Sequence, residues 1–140
     1  MNKSRPAESK IVEAVMRLLR NIGFKDILKE AQFCERYLDL FAKEKDNFIA
    51  VEAKVASPTK AFEQAARYVH VADYVYVGAF SPNKNSVCLR MAEKTGIGLI
   101  GVTEDKIGRF KARIMVEAKK SSFYDPLLAE DIWRLNTVRA

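Results

Sequence analysis

The chain has 140 residues, 49% of them hydrophobic and 30% charged, which suits one compact domain with a sizeable core and leaves little room for a second. Twenty-four Lys and Arg against eighteen Asp and Glu give a formal charge of +6, which favours a polyanionic partner. Cys34 and Cys88, without a Cys-x-x-Cys pair and with His70 as the single histidine, argue against structural zinc and read as reduced core thiols. No apolar leader opens the sequence and no run reaches the ~18 apolar residues of a spanning helix, so the expected location is cytoplasmic.

Ser4 is placed to cap a first helix over residues 4–21, with Pro6 and Glu8 in its first turn. Ile11, Val12, Val15, Leu18 and Leu19 make one apolar stripe along it, and Gly23 ends it. Residues 26–34 have mixed strand character, and a second strand over 36–42 turns through 44–47 to return as a third over 48–55. The hydrophobic pattern selects the register that puts Leu40 opposite Val51. That register gathers Leu38, Leu40 and Ala42 with Ile49, Val51 and Ala53 on one face, and a slip of one residue scatters them. It also sets Asp39 opposite Glu52, with Cβ atoms about 4.5 to 5.5 Å apart, where like charges repel and a divalent cation removes the conflict. Glu52 and Lys54 share a strand face, because side chains alternate. Apolar residues fill both faces of this strand up to Val51, so it is expected to be buried on both sides, with charges only at its C-terminal end.

Pro58 opens a second helix, which is expected to run to about His70. A strand over 74–77, a helix over 85–94 closed by Gly96, and a strand over 97–102 read as parallel additions to the sheet. The next strand, 109–116, alternates Phe110, Ala112, Ile114 and Val116 with Arg109, Lys111, Arg113 and Met115, so its outer face is basic. A last amphipathic helix over 126–136 carries Leu127, Leu128, Ile132, Trp133 and Leu135, with Trp133 expected in the core or at a dimer contact. Glu35 and Asp73 read as solvated carboxylates, and His70 as a structural histidine.

The order helix, three meandering strands, helix, strand, with acids on the second and third strands, resembles the PD-(D/E)xK nuclease superfamily. Its motif-bearing core would cover about residues 4–77 of a single nuclease-like domain over 1–140. The implied fold class is α/β: a restriction-endonuclease-like mixed sheet, a three-strand meander plus parallel strands, flanked by helices. Asp39 matches the family's first acid and Glu52-Ala53-Lys54 its acid-x-Lys triplet, while the usual Pro before the first acid is Leu38 here. Gln64-Ala65-Ala66-Arg67-Tyr68 looks like the Gln-x-x-x-Tyr element of RecB-type members. Glu13 stands on the first helix, where Mrr-type and Holliday-junction-resolvase-like members often carry a metal-site Glu.

The resemblance implies an endonuclease that hydrolyses DNA with Mg²⁺, or Mn²⁺ in its place, held by Asp39, Glu52, the Ala53 carbonyl and Glu13. Lys54 would stabilise the transition state or help deprotonate the attacking water, with Gln64 beside it. Lys60, Gln64, Arg67 and Tyr68, joined by Arg109, Lys111 and Arg113, would position the DNA backbone. A homodimer is the family-level expectation. Two other readings stand beside this one: a catalytically inactive nucleic-acid-binding module with the same fold, and an assembly subunit that docks through its C-terminal helix.

Overall fold

The computed structural model describes residues 7–55, 58–81 and 87–138. Ser4, Pro6 and Asn85, at expected helix starts, lie outside them. Helix α1 (Glu8–Asn21) leads into an antiparallel meander of β1 (Asp26–Phe33), β2 (Arg36–Glu44) and β3 (Asn47–Lys54). Helix α2 (Pro58–Ala65) and a 3-10 turn (Ala66–Tyr68) cross to β4 (Tyr74–Phe80), and α3 (Val87–Thr95) crosses to β5 (Gly98–Glu104). Both additions are parallel, as expected. β6 (Phe110–Val116) returns antiparallel to β5, and α4 (Pro126–Val138) follows it. Among the described residues, six strands lie in sequence order in one mixed sheet flanked by four α-helices, in keeping with the fold class that the resemblance implied.

Each face of the sheet has its own core. On one, α1 lays Ile11, Val15 and Leu19 over Leu40, Val51, Ala53 and Ile100. On the other, Ala61 and Phe62 of α2, Cys88 and Ala92 of α3, and Ala129 and Ile132 of α4 cover Phe41, Phe48, Ala50 and Val77. β3 is therefore buried on both faces, and from Phe48 to Ala53 none of its residues is exposed. Such double burial is characteristic of strands in parallel surroundings and explains the unbroken apolar run that the charged triplet ends.

The meander turns more tightly than its sequence indicated. Lys45 and Asp46 alone link β2 to β3, with Lys45 at φ 54°, and Leu40 does pair with Val51. Leu38, however, belongs to the opposite core from Leu40. Pairing of β1 with β2 runs from Asp26 and Lys43 to Lys29 and Leu40, omits Glu30 and Asp39, then resumes at Ala31 and Leu38. Glu30 adopts φ 53° at that gap, and strict alternation fails on both strands there.

Other expectations change for local reasons. The second helix stops being α-helical at Ala65 and tightens into the 3-10 turn. Cys34 is exposed at φ 58° in the two-residue turn between β1 and β2, so Cys88 is the only one of the two thiols in a core. Asp73 is 2% exposed, not solvated. Its carboxylate accepts from the Phe48 amide at 2.7 Å, and its own amide donates to the Phe48 carbonyl. Trp133 packs against Phe41 and Phe48 with ring centroids 5.7 and 6.0 Å away, so α4 is bound into the chain's own core. Among the described residues no helix is long and apolar enough to cross a membrane.

Candidate active site at the end of the third strand

The last pairing of β2 with β3 joins Leu40 to Val51. Continued, the ladder would place Ala53 opposite Leu38 and satisfy its amide with a backbone carbonyl. Instead Asp39 Oδ2 accepts from the Ala53 amide at 2.7 Å. A side-chain carboxylate takes the place of the ladder, and it does so where both strands lose their alternation. The N–H and C=O of a strand residue leave on the same side, so the Ala53 carbonyl faces the gap that Asp39 occupies.

Glu52, the neighbouring residue on β3, is 7% exposed, and its Oε2 is buried without a hydrogen-bond partner among the described residues. Burial pushes its carboxyl up to about 8, the nearby Asp39 charge adds to the rise, and Lys54 opposes it. Burial likewise raises Asp39, against the lowering hydrogen bond from Ala53. Two carboxylates thus share a site that water solvates poorly, and the Asp39 charge disfavours ionisation of Glu52. Lys54 Nζ lies 3.9 Å from Glu8 Oε1 at the start of α1. Glu8 raises both of the other carboxyls, and Glu30 adds to the rise at Asp39.

From the helical face, Tyr68 comes close enough to feel the charges of Glu52 and Asp39. Gln64 Oε1 is buried and also lacks a partner among the described residues. Tyr68 is 2% exposed, and burial, followed by the charges of Glu52 and Asp39, pushes its phenol up to about 12. It therefore stays a hydrogen-bond donor at any ordinary pH. Lys60 and Arg67 are exposed on this segment, and Arg109, Lys111 and Arg113 are exposed on β6 and the turn before it.

Glu13 does not join this group. It is exposed and lines a separate cavity with Lys10, Arg17 and residues of β6. The acid that α1 sends to the site is Glu8, five residues earlier, which helical geometry turns by about 140° from Glu13. An acid in the first turn of the helix was a usable signal for it, but nothing in the pattern showed how far along α1 crosses the sheet end.

The donor set suits a hard divalent ion. Asp39 keeps a second carboxylate oxygen beyond the one bonded to Ala53, Glu52 offers a buried oxygen with no partner, and the Ala53 carbonyl faces the same gap. Among the described residues no three His, Cys, Asp or Glu side chains are grouped to hold an ion by themselves.

No family model matches the sequence, and no curated protein matches it. Among solved structures, a protein of unknown function from Silicibacter pomeroyi superposes with a TM-score of 0.73 at 14% identity, over 99% of this chain and 88% of its own. A repair endonuclease from Pyrococcus abyssi superposes with a TM-score of 0.51 at 22% identity, over 71% of this chain and 48% of its own. The match thus spans about half of that endonuclease. SfsA from Pyrococcus furiosus, in complex with Ca²⁺, gives 0.42 at 16% identity, over 82% and 61%. The first two likenesses show a shared fold: this chain has an architecture that is also found in a nuclease.

Proposed function

We propose that this protein is a PD-(D/E)xK nuclease that hydrolyses phosphodiester bonds in DNA with a divalent metal. One observation carries the reading: Asp39 bonded to the Ala53 amide, beside a buried Glu52 whose Oε2 has no partner among the described residues. A buried acceptor left unpaired costs about 1–3 kcal/mol, which a fold tolerates where a ligand completes the site. The shared fold with a repair endonuclease agrees with it.

Asp39, Glu52 and the Ala53 carbonyl would hold Mg²⁺ or Mn²⁺, which neutralises phosphate charge and makes water nucleophilic near neutral pH. Lys54 contributes a fixed positive charge where the pentavalent phosphorus gathers negative charge, an electrostatic role suited to a partly buried ammonium. Glu8, 3.9 Å from it, orients that ammonium group. Gln64 and Tyr68 donate to phosphate oxygens and fix the strand, since neutral donors position a backbone without reading sequence. Lys60 and Arg67 extend the contact outward as solvent-facing cations. Cutting both strands of a duplex in one encounter needs two such sites, so the reading carries a homodimer with it.

The test is Mg²⁺-dependent cleavage of a labelled duplex by wild type, Glu52→Gln and Lys54→Ala, with folding checked by circular dichroism. Both variants are expected to lose cleavage by a factor of at least about 100, the loss of a charge-stabilising group. Undiminished cleavage by either folded variant defeats the proposal.

A further inference from the structure

The exposed cations of α1 and β6 are not scattered. Between the two elements lies a cavity of about 400 Å³, lined by Lys10, Glu13 and Arg17 from the helix and by Arg109, Phe110 and Lys111 from the strand and its turn. Arg17 Nη2 donates to the Phe110 carbonyl at 2.8 Å, which ties the walls together with one bond of a five-donor fork. Arg109 is held by Asp105, whose Oδ2 accepts from its Nε at 3.1 Å. The same carboxylate accepts from the Ile107 and Arg109 amides at 3.0 and 2.9 Å, so the turn that carries this wall is fastened at several points.

Four cationic side chains thus line the cleft; Arg109 is paired with Asp105, and the other three share one lining carboxylate, Glu13, which makes no ion pair among the described residues. Lys10, Arg17 and Lys111 against Glu13 leave a positive excess in the cleft. Its direction matters too. Lys10 follows Glu8 by two residues, and the helical rise puts Arg17 about 13 Å beyond Glu8 along the axis. The cleft therefore leads away from the Lys54 end of β3, and several cations along it suit a chain of phosphates better than a lone anion.

We propose that this cleft holds phosphodiesters of the nucleic-acid strand running on from the bond to be cut, with Lys10, Arg17, Arg109 and Lys111 as its contacts. The inference rests on the nuclease reading of the Asp39 and Glu52 site. It also gives Glu13 a role opposite to the one that family resemblance implies: a negative charge in the strand's path, which weakens binding.

The experiment measures metal-free binding of a fluorescent duplex by anisotropy across a salt series, for wild type, the exposed double variant Lys10→Glu/Lys111→Glu, and Glu13→Gln. The double variant is expected to bind more weakly and to lower the slope of log K against log salt by about 1 for each phosphate that is no longer neutralised. Glu13→Gln is expected to bind more tightly, by a margin that shrinks as salt rises. Unchanged affinity and slope in both variants overturn the proposal, as does an effect confined to binding of inorganic phosphate. If the charge reversal fails to fold, Lys10→Gln/Lys111→Gln takes its place with the same expected signs. The two readings fail separately: loss of cleavage in Glu52→Gln with unchanged binding slopes removes only the cleft, and full cleavage by Glu52→Gln with lowered slopes removes only the catalytic site.

Discussion

Glu52 is a residue placed against its own charge. Its carboxyl sits in a buried position beside Asp39, and its pKa is raised from about 4.5 to about 8. The folded chain consequently binds this proton more tightly than the unfolded chain does, and the sign of the stability effect follows. In the absence of a divalent ion, the contribution from Glu52 is full below the ordinary glutamate value of 4.5 and is lost as pH rises through about 8. Asp39, also raised, acts in the same direction. Glu52→Gln carries no proton to lose, so its melting temperature in chelator is expected to fall less steeply than that of wild type between about pH 5 and pH 8. At the alkaline end it should be the more stable protein, by on the order of 1 kcal/mol, since an unpaired buried charge has been removed. Mg²⁺ acts on the ionised form, so its stabilisation of wild type should be larger near pH 8 than near pH 5 and small in Glu52→Gln. Thermal unfolding monitored by fluorescence, with and without the ion, checks all of these signs.

At the level of elements, the end of β3 works as a site because its start is held. Asp73, in the loop before β4, exchanges two bonds with the backbone of Phe48, and its own carbonyl accepts from the Ser121 amide at 2.7 Å. One buried residue, through its carboxylate and its backbone, thus anchors β3, β4 and the segment that leads into α4. Asp73→Ala leaves the Phe48 amide buried without that acceptor and is expected to cost about 1–3 kcal/mol in urea denaturation. Asp73→Asn, which retains an acceptor oxygen, should recover part of the loss. Sequence patterning could not identify this residue, because an isolated acid at a strand boundary looks the same whether it faces water or an amide. The register of the meander was legible, since Leu40, Ala42, Ile49 and Val51 have to share a core. The reversal at Leu38 was not. Alternation is a local rule, and the positive φ at Glu30 that breaks it belongs to the neighbouring strand.

Over the whole molecule, part of the positive surplus lines one cleft, a placement that composition could not supply. The place of Glu52-Ala53-Lys54 at the end of β3 was legible because the apolar run stops there, and the basic face of β6 because it alternates. Lys10 and Arg17 were not, because on a helix they look like any solvated residues until a neighbouring strand completes the wall. On the proposed reading, the site at the end of β3 and the cleft beside α1 would define a path about 13 Å long, which corresponds to roughly four steps of a duplex strand at 3.4 Å each. A substrate that ends within that distance on the cleft side forfeits contacts with Arg17 and Lys111 while still reaching Asp39 and Glu52. Duplexes shortened one base pair at a time on one side should therefore hold kcat/KM nearly constant until about four pairs remain beyond the cut, then lose it in steps that diminish at high salt. Shortening the other side should give a different profile, because Lys60 and Arg67 stand on the opposite face of the sheet from α1. Equal profiles from the two ends would mean that the strand does not follow the helix.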